Sequence, residues 1–447
     1  MLTSWNKRET FDRFSNIPDD VVHEILCFLP IKDIARSSLV SKRFRQLCLS
    51  VPDLFLDLIP HNRSKVSNWI DRFLTLRNGA KLRRFVLKDA CLNHEGIIRV
   101  CKWICKAEEL DLSFGMYAEQ CFLLPPFTFV RAIKLNILSN GGILELPSST
   151  SNSFSLLQDL DIRGIRLDPH NLSEDWVSSL FPAIKKLNLE EVRDIKYLNI
   201  TSSSLECLSI KTCHLHRVVV SAERLHTLCV VSCHAGGDWL FKIYAPNLQN
   251  IRWTADGYSF NGSFMCLKGV NIDAPRLELL QFINHAKSVT LRANILKELF
   301  IQDSLPYTML DNVQNLNLQV SCKMDHKMPA LASFFGRLPN LNTLTMRCID
   351  RETFGCDGSN NFDFDIEYWE SQDVAFIHQL KEVKIEIRKW ECEVGLIKYL
   401  IKHAKVLDTM TITFSSKIHP SRSRSIREKL SKFYESFPIA TLDFVLK

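Results

Sequence analysis

The segment from Ile195 to Cys233, IKYLNITSSSLECLSIKTCHLHRVVVSAERLHTLCVVSC, repeats one pattern four times. Each copy reads apolar-x-x-apolar-x-apolar, and the copies begin at Ile195, Leu205, Leu215 and Leu225, ten residues apart. The last three positions place an outward residue between two apolar ones, which predicts a short strand with one buried face. Such a strand cannot bury its apolar face alone, so the repeats are expected to stack around a continuous core.

The same pattern occurs along most of the remaining chain. Further copies begin at Leu82, Leu157, Ile184, Leu248, Leu277, Leu296, Val313, Leu341, Leu380, Leu407 and Ile439. The arrangement resembles the leucine-rich repeat family, in which stacked repeats form a solenoid. Two copies continue to a cysteine three residues after the last apolar position, at Cys213 and Cys233. In that family the residue at this place points inward and bonds backbone of the neighbouring turn.

The spacing between copies is uneven. Ten-residue periods leave room for a strand and a turn but not for a helix, whereas longer periods can include one, such as Glu174 to Phe181. We therefore expect an α/β fold with an irregular leucine-rich-repeat solenoid, its short parallel strands on the concave face and its loops and short helices outside. The solenoid is assigned to residues 58–350. Residues 351–372, which are acidic and rich in Gly, Asn and Asp, are expected to form a loop after it.

Residues 14–47, before the repeats, hold many apolar side chains at helical intervals. Pro18 and the acidic pair after it suit the first turn of a helix, Pro30 ends that helix, and Ser41 can cap a later one. Three short helices have too few internal contacts to cover this apolar surface. The segment is therefore either a cap on the first turn of the solenoid or a docking face for another protein.

The run IPDDVVHEILCFLPIKDIARSSLVSKRFRQL, Ile17 to Leu47, resembles an F-box. Ile17 stands where leucine is usual and Phe44 where tryptophan is usual, both apolar for apolar. The resemblance implies a three-helix module, assigned to residues 11–57, that docks on a Skp-family adaptor and through it on a cullin ligase. The residues implied to line this contact are Ile17, Pro18, Val21, Val22, Ile25, Leu26 and Leu29, with Leu39, Val40 and Phe44 completing it or packing beneath it.

The end of the chain, from Leu380 to Phe414, is similar to the FBD domain that closes many plant F-box proteins with leucine-rich repeats. A strand, a helix with one apolar side and a second strand are expected, followed by a helix over residues 426–437 and a last strand. We assign residues 373–447 to this domain. It would either cap the solenoid or form a separate recognition surface.

Strand residues that alternate with the buried ones are expected to line the concave face, where a substrate could bind. Acids and bases are interleaved among them, which argues against nucleic acid and fits a protein partner of unknown identity. The candidate substrate-binding residues are Lys186, Asn188, Tyr197, Asn199, Lys211, Arg217, Arg252 and Arg347.

The composition is that of a folded soluble protein: of 447 residues, 46% are hydrophobic and 24% charged, and the formal net charge is +6. The N-terminus lacks the apolar core of a secretory signal, and no apolar run is long enough to span a membrane. We therefore expect no membrane partner and a location in the cytoplasm or nucleus, where the fifteen cysteines would serve as small buried hydrophobes.

We expect neither a metal nor a cofactor. Cysteines and histidines gather between Cys207 and His234, but none forms the CxxC knuckle of a structural zinc site. The chain has no GxSxG, GxxxxGK[ST] or HExxH motif, so no catalytic residue is assigned. Together with the F-box resemblance, which implies the partners, this leads us to expect a non-catalytic substrate-recognition subunit of a Skp, cullin, F-box ubiquitin ligase. The alternative is a leucine-rich-repeat protein-binding scaffold that is not assembled with a cullin.

Overall fold

The computed structural model divides the chain into two compact units, Met1–Ile195 and Lys196–Lys447. It describes residues 17–58, 63–77, 82–105, 107–138, 142–147, 153–168, 172–263, 269–272, 286–292, 309–320, 328–348, 366–372, 374–387, 392–414, 418, 420–437 and 441–446. The repeats that begin at Leu277 and Leu296 lie outside these residues. No helix in the described ranges is long and apolar enough to cross a membrane.

Three short helices open the first unit, as predicted: α1 (Asp19–Cys27), α2 (Ile31–Ser37) and α3 (Lys42–Ser50). Pro18 and Pro30 directly precede α1 and α2, where a missing N–H costs nothing because it has no partner within the helix. Ser41 is the N-cap of α3, since its hydroxyl oxygen accepts the N–H of Phe44 at 3.1 Å. The capping role predicted for Ser41 is confirmed.

Among the described residues, the rest of the first unit contains two parallel ladders and three further helices. In chain order the elements are β1 (Asp53–Asp57), α4 (Arg63–Leu76), β2 (Leu82–Leu92), α5 (His94–Ile104), β3 (Ala107–Met116), β4 (Cys121–Leu123), β5 (Ala132–Ile137), β6 (Ile143–Glu145), β7 (Asp159–Arg163), β8 (Arg166–Leu167), α6 (Trp176–Leu180) and β9 (Lys186–Glu190). The main ladder runs β1, β2, β3, β5, β7, β9, and a shorter one runs β4, β6, β8. The helix predicted within 174–181 is confirmed as α6.

Aromatic side chains fill part of the core of this unit. Phe154 packs edge-to-face against Phe127 and Phe181, with ring centroids 5.8 and 5.2 Å apart, and Phe181 in turn meets Trp176 at 6.0 Å. All four side chains are buried. These contacts hold α6 against neighbouring turns, because large aromatic rings contribute both buried area and a preferred edge-to-face geometry.

The second unit also has two parallel ladders. Its elements in chain order are β10 (Tyr197–Thr201), β11 (Cys207–Lys211), β12 (Arg217–Ser221), β13 (Thr227–Tyr244), β14 (Asn250–Ser263), β15 (Gly269–Ile272), β16 (Ser288–Arg292), β17 (Asn315–Val320), α7 (Met328–Phe335), β18 (Thr343–Cys348), α8 (Ile366–Glu370), β19 (Glu382–Ile387), α9 (Cys392–His403), β20 (Thr409–Phe414), α10 (Pro420–Ser436) and β21 (Thr441–Leu446). The main ladder runs β11, β13, β14 and then each later strand to β21.

The ten-residue repeats alternate between these two ladders. β11 pairs with the start of β13, whereas β10 pairs with β12, and β12 pairs with the end of β13 at residues 240–244. One full turn therefore takes two copies of the repeat, about twenty residues. The expectation that every copy lies on one common face is wrong, because a ten-residue copy supplies only half a turn.

The two cysteines of the extended repeats are buried, as the resemblance implied. The Cys233 thiol donates to the carbonyl oxygen of Ile210, in the neighbouring turn, at 3.7 Å and to that of Val231 at 3.5 Å. Cys213 donates to the carbonyl of Lys211 at 3.3 Å. Burial raises the pKa of the Cys233 thiol, which keeps it protonated and able to donate.

The predicted fold class is confirmed: helices precede a run of parallel strands, and the C-terminal segment has the expected strand, helix, strand, helix and strand in β19, α9, β20, α10 and β21. Two local expectations are wrong. α10 begins at Pro420 rather than 426, because proline suits a helix start. α8 lies within the predicted acidic loop 351–372, because Trp369 is buried against Phe335; residues 351–365 lie outside the described part.

Candidate functional site

The first helix carries apolar side chains on two adjacent stripes. Val21, Ile25 and Phe28, spaced four and three residues apart, are 47%, 49% and 85% exposed. Val22 and Leu26, one position further along, are 3% and 2% exposed. Residues three and four apart share one helix face, so α1 turns one apolar stripe inward and leaves the other in solvent.

The turn after α2 adds two more exposed apolar side chains. Leu39 is 85% and Val40 72% exposed. Ser41 follows them and fixes the start of α3, whose Leu47 and Cys48 are buried. Burial raises the pKa of the Cys48 thiol to about 11, so this side chain acts as an uncharged core residue at neutral pH. We call Val21, Ile25, Phe28, Leu39 and Val40 the exposed apolar group.

A hydrogen-bond cluster joins α3 to the first residue of α1 and to Ile17 before it. The Arg43 guanidinium donates to the Asp19 carboxylate at 3.0 Å from Nε and 2.6 Å from Nη2. Nη2 also donates to the carbonyl oxygen of Ile17. Because one planar group holds both partners, this cluster fixes where Ile17 and Pro18 lie relative to α3.

The inward stripe attaches the helices to the first ladder. α1 and α2 both contact β1 and α3, and Val22, Leu26, Ile31 and Ile34 are buried. A buried Leu or Ile side chain stabilises a fold by about 1.5–3 kcal/mol relative to its exposed state. The exposed apolar group contributes less to folding, because its side chains keep between 47% and 85% of their surface in solvent.

The ten predicted adaptor-binding residues divide by their position in the fold. Pro18, Val21, Ile25, Leu39 and Val40 are exposed, Ile17, Leu29 and Phe44 are half-buried, and Val22 and Leu26 are buried. The structure corrects the last two, which belong to the core rather than to an accessible contact. Whether the other eight touch an adaptor stays a prediction.

Phe28 was missed by the sequence reasoning. It follows the last residue of α1, next to the Leu29-Pro30 pair that marks the helix end, and it is as exposed as Leu39. The spacing of Val21, Ile25 and Phe28 was the available signal, since positions i, i+4 and i+7 lie on one helical face.

The eight candidate substrate-binding residues all lie at outward strand positions and none is buried. Those in the second unit occupy two ladders rather than one. Lys186 and Asn188 lie on β9 in the first unit, and Lys211, Arg252 and Arg347 lie on the main ladder of the second unit. Tyr197, Asn199 and Arg217 lie on β10 and β12, in the other ladder, where Tyr197 is directly paired with Arg217.

No cluster of three or more His, Cys, Asp or Glu side chains that could hold a metal ion occurs among the described residues. His403 lies at the end of α9, where its Nε2 is 3.2 Å from Oε1 of Glu370 on α8. Lys402 donates to the same oxygen at 2.5 Å. This cluster joins two helices at the surface.

Three family models match the chain in the order of these structural segments. The F-box domain matches residues 14–56, which contain the three helices and most of β1. The model described as FBD-associated F-box protein At5g56370, LRR repeats, matches residues 105–346, more than half of the chain. The FBD model matches residues 376–412, from β19 to β20.

Curated relatives from Arabidopsis thaliana share this organisation. The chain is 29% identical over 483 aligned residues to the putative F-box/FBD/LRR-repeat protein At4g03220, covering 97% of this chain and 95% of that protein. It is 27% identical to the F-box/FBD/LRR-repeat protein At5g56420, covering 60% and 54%. It is 21% identical to the F-box/LRR-repeat protein At5g02910, covering 90% and 88%.

Proposed function

Since this chain belongs to the FBD-associated F-box family with leucine-rich repeats, we propose that it is the substrate-recognition subunit of a Skp, cullin, F-box ubiquitin ligase. Its first three helices dock on a Skp-family adaptor, and the adaptor joins it to the cullin. The strand ladders bind a protein substrate. The chain itself is non-catalytic and acts in the cytoplasm or nucleus.

The exposed apolar group is the observation that carries this proposal. Its five large side chains lie on α1, directly after α1 and in the turn after α2, and they are between 47% and 85% exposed. Exposed apolar surface of this kind is typical of protein interaction sites. Covering each side chain would contribute about 1.5–3 kcal/mol before the cost of association is subtracted.

The role in ubiquitination follows from holding two partners together. A substrate bound to the ladders and a conjugating enzyme bound to the cullin would react at a raised effective concentration, with no catalytic group needed from this chain. Burial raises the pKa of Cys48 and Cys233, so these two thiols stay uncharged and serve as core residues.

Reconstitution tests the proposal. The full-length protein, a purified Skp-family adaptor and a cullin are mixed, and the assembly is followed by size-exclusion chromatography. We expect the three chains to elute together. If the protein binds the adaptor but no cullin enters the assembly, or if it binds neither, the chain is a scaffold outside the ligase and the proposal fails.

A further inference from the structure

Helix α10 carries five serines whose surroundings differ. They are Ser421, Ser423, Ser425, Ser431 and Ser436. Ser423 and Ser431 are half-buried, and the hydroxyl of Ser423 donates to the carbonyl oxygen of Pro420 at 2.9 Å. Ser425 is exposed, and its hydroxyl has no hydrogen-bond partner in the described part of the chain. This hydroxyl is therefore open to an enzyme that modifies it.

Two arginines precede Ser425 at positions that protein kinases recognise. Arg422 lies three residues before it and Arg424 directly before it, in the run RSRS. The pattern Arg-x-x-Ser occurs once in the whole sequence, at this place. Kinases select substrates by charge pattern, and some have acidic groups that pair with an arginine at this spacing. Ser436, which is also exposed, has Phe433 at the corresponding position, so the pattern selects Ser425.

The side chains of both arginines are free to meet an enzyme. Arg422 and Arg424 are exposed, and their guanidinium groups form no ion pair with any residue that the structure describes. Arg427, in contrast, lies over the ring of Phe444 at 5.1 Å from its centroid. The carboxylates of a kinase could therefore pair with Arg422 and Arg424 without breaking a contact of the fold.

The first turns of α10 are held by few buried contacts. From Pro420 to Ser425 every residue is exposed except the half-buried Ser423. The buried residue of this helix, Leu430, lies in its second half, where the ring of Phe433 also lies 5.8 Å from Nζ of Lys398 on α9. Segments with little buried surface open locally at a low free energy. This end of the helix can thus open for an enzyme while Leu430 keeps the other end in place.

The helix also provides partners for a phosphate on Ser425. Residues three and four apart are neighbours on a helix, so Arg422 and Lys429 lie on either side of Ser425. Lys429 is exposed and forms no ion pair within the described ranges. An acidic group four residues before a basic one is the favourable order in a helix. Glu428 is the one acid within four residues of Ser425, against four basic residues.

We propose that Ser425 is a phosphorylation site for an arginine-directed protein serine kinase. The Oγ of Ser425 attacks the γ-phosphorus of ATP, the bond from this phosphorus to the bridging oxygen of the β-phosphate breaks, and ADP leaves. The hydroxyl proton passes to a base of the kinase. The phosphate adds about two negative charges and three acceptor oxygens, pairs with Arg422 and Lys429, and opposes opening of the first turns of α10. This inference goes beyond the proposed function, because it involves neither the adaptor nor a substrate.

Phosphorylation of the full-length protein tests the site. The protein is incubated with ATP and a purified serine kinase that selects arginine three residues before serine, and the phosphate is located by tandem mass spectrometry. We expect Ser425→Ala to reduce the phosphate incorporated into α10 at least tenfold, and Arg422→Ala to slow its incorporation at Ser425 at least tenfold. The matched control, Ser436→Ala, removes an exposed serine of the same helix and should stay within twofold of wild type.

Hydrogen exchange tests the pairing of the phosphate. Amides of residues 421–429 should exchange at least about twofold more slowly in the phosphorylated protein than in the unmodified one. Phosphate on another serine of α10 instead of Ser425, wild-type incorporation in Ser425→Ala, or no incorporation into the wild-type protein would overturn the site. Unchanged or faster exchange after phosphorylation at Ser425 would overturn the pairing with Arg422 and Lys429.

Discussion

Ile25 and Leu26 are consecutive residues of one helix, yet the side chain of Ile25 is half in solvent while that of Leu26 is enclosed by the core. At these two adjacent positions, one side chain therefore serves the stability of the fold and the other is available for binding. A residue on the inner stripe supports the fold, and its neighbour on the outer stripe is available to a partner. Replacing each of the two residues by alanine therefore compares the effect of the same change on the inner and on the outer stripe.

Leu26→Ala should lower the free energy of unfolding by about 2–5 kcal/mol, as for other large-to-small changes in a core. Ile25→Ala should change it by less than about 0.5 kcal/mol, because it lies at the surface. Chemical denaturation followed by circular dichroism measures both. Equal destabilisation by the two variants would show that the stripes are not distinct.

Arg43→Ala should weaken adaptor binding while lowering stability by less than about 1 kcal/mol, since exposed ion pairs contribute little to folding. The change removes the bonds to Asp19 and to the Ile17 carbonyl, so the residues before α1 lose their fixed position. Titration of the variant with a purified adaptor measures the effect. Arg36→Ala is the control, because its pair with Asp33 lies within α2. A similar loss from both would contradict a positioning role for Arg43.

Gly164→Ala should destabilise the first unit by about 1–3 kcal/mol. Gly164 has a φ of 68°, and a Cβ there would overlap the carbonyl oxygen of Ile137. The glycine is thus required by both its backbone conformation and its contact. Thermal unfolding should show the loss, and Arg166→Ala in the same region should cost less than about 1 kcal/mol. If the Gly164→Ala variant is as stable as wild type, the turn geometry described here is contradicted.

The stability of the fold should depend on pH through the carboxyl group of Glu370. Its pKa lies below the ordinary value because Lys402 donates a hydrogen bond to the carboxylate and His403 bonds the same oxygen. A carboxyl with a lowered folded pKa stabilises the fold above its unfolded-state pKa, and this contribution disappears as pH falls through the folded pKa. Wild type should therefore be more stable than Glu370→Gln at pH 7, and the difference should vanish in acid. A difference that persists unchanged at low pH would count against this pairing.

Local sequence patterns predicted the strands well, because each copy of the repeat has its own alternation of buried and outward residues. The helices α1, α3 and α6 also followed from local signals, whereas the burial of Cys233 followed from the resemblance to leucine-rich repeats. What local patterns do not contain is the pairing between strands. The copies at Ile195 and Leu205 look alike in sequence, yet the strands that they form, β10 and β11, join different ladders.

The division of the apolar residues of α1 illustrates the same limit. Val21 and Val22 are chemically identical, and periodicity places them on neighbouring stripes without saying which one meets β1. Helix α8 was missed because Trp369 acquires its buried contacts from α7 and α9, which are distant in sequence.

The most direct test of the central claim is the affinity of the full-length protein for a purified Skp-family adaptor, measured by isothermal titration calorimetry. Val21→Ser, Ile25→Ser and Phe28→Ser are combined in one variant, and Leu123→Ser with Leu138→Ser, both exposed elsewhere in the first unit, is the control. We predict at least about 100-fold weaker binding for the triple variant, from about 1.5 kcal/mol or more per lost side chain, and unchanged binding for the control. Wild-type affinity in the triple variant, or no adaptor binding by the wild type, would contradict docking through the exposed apolar group.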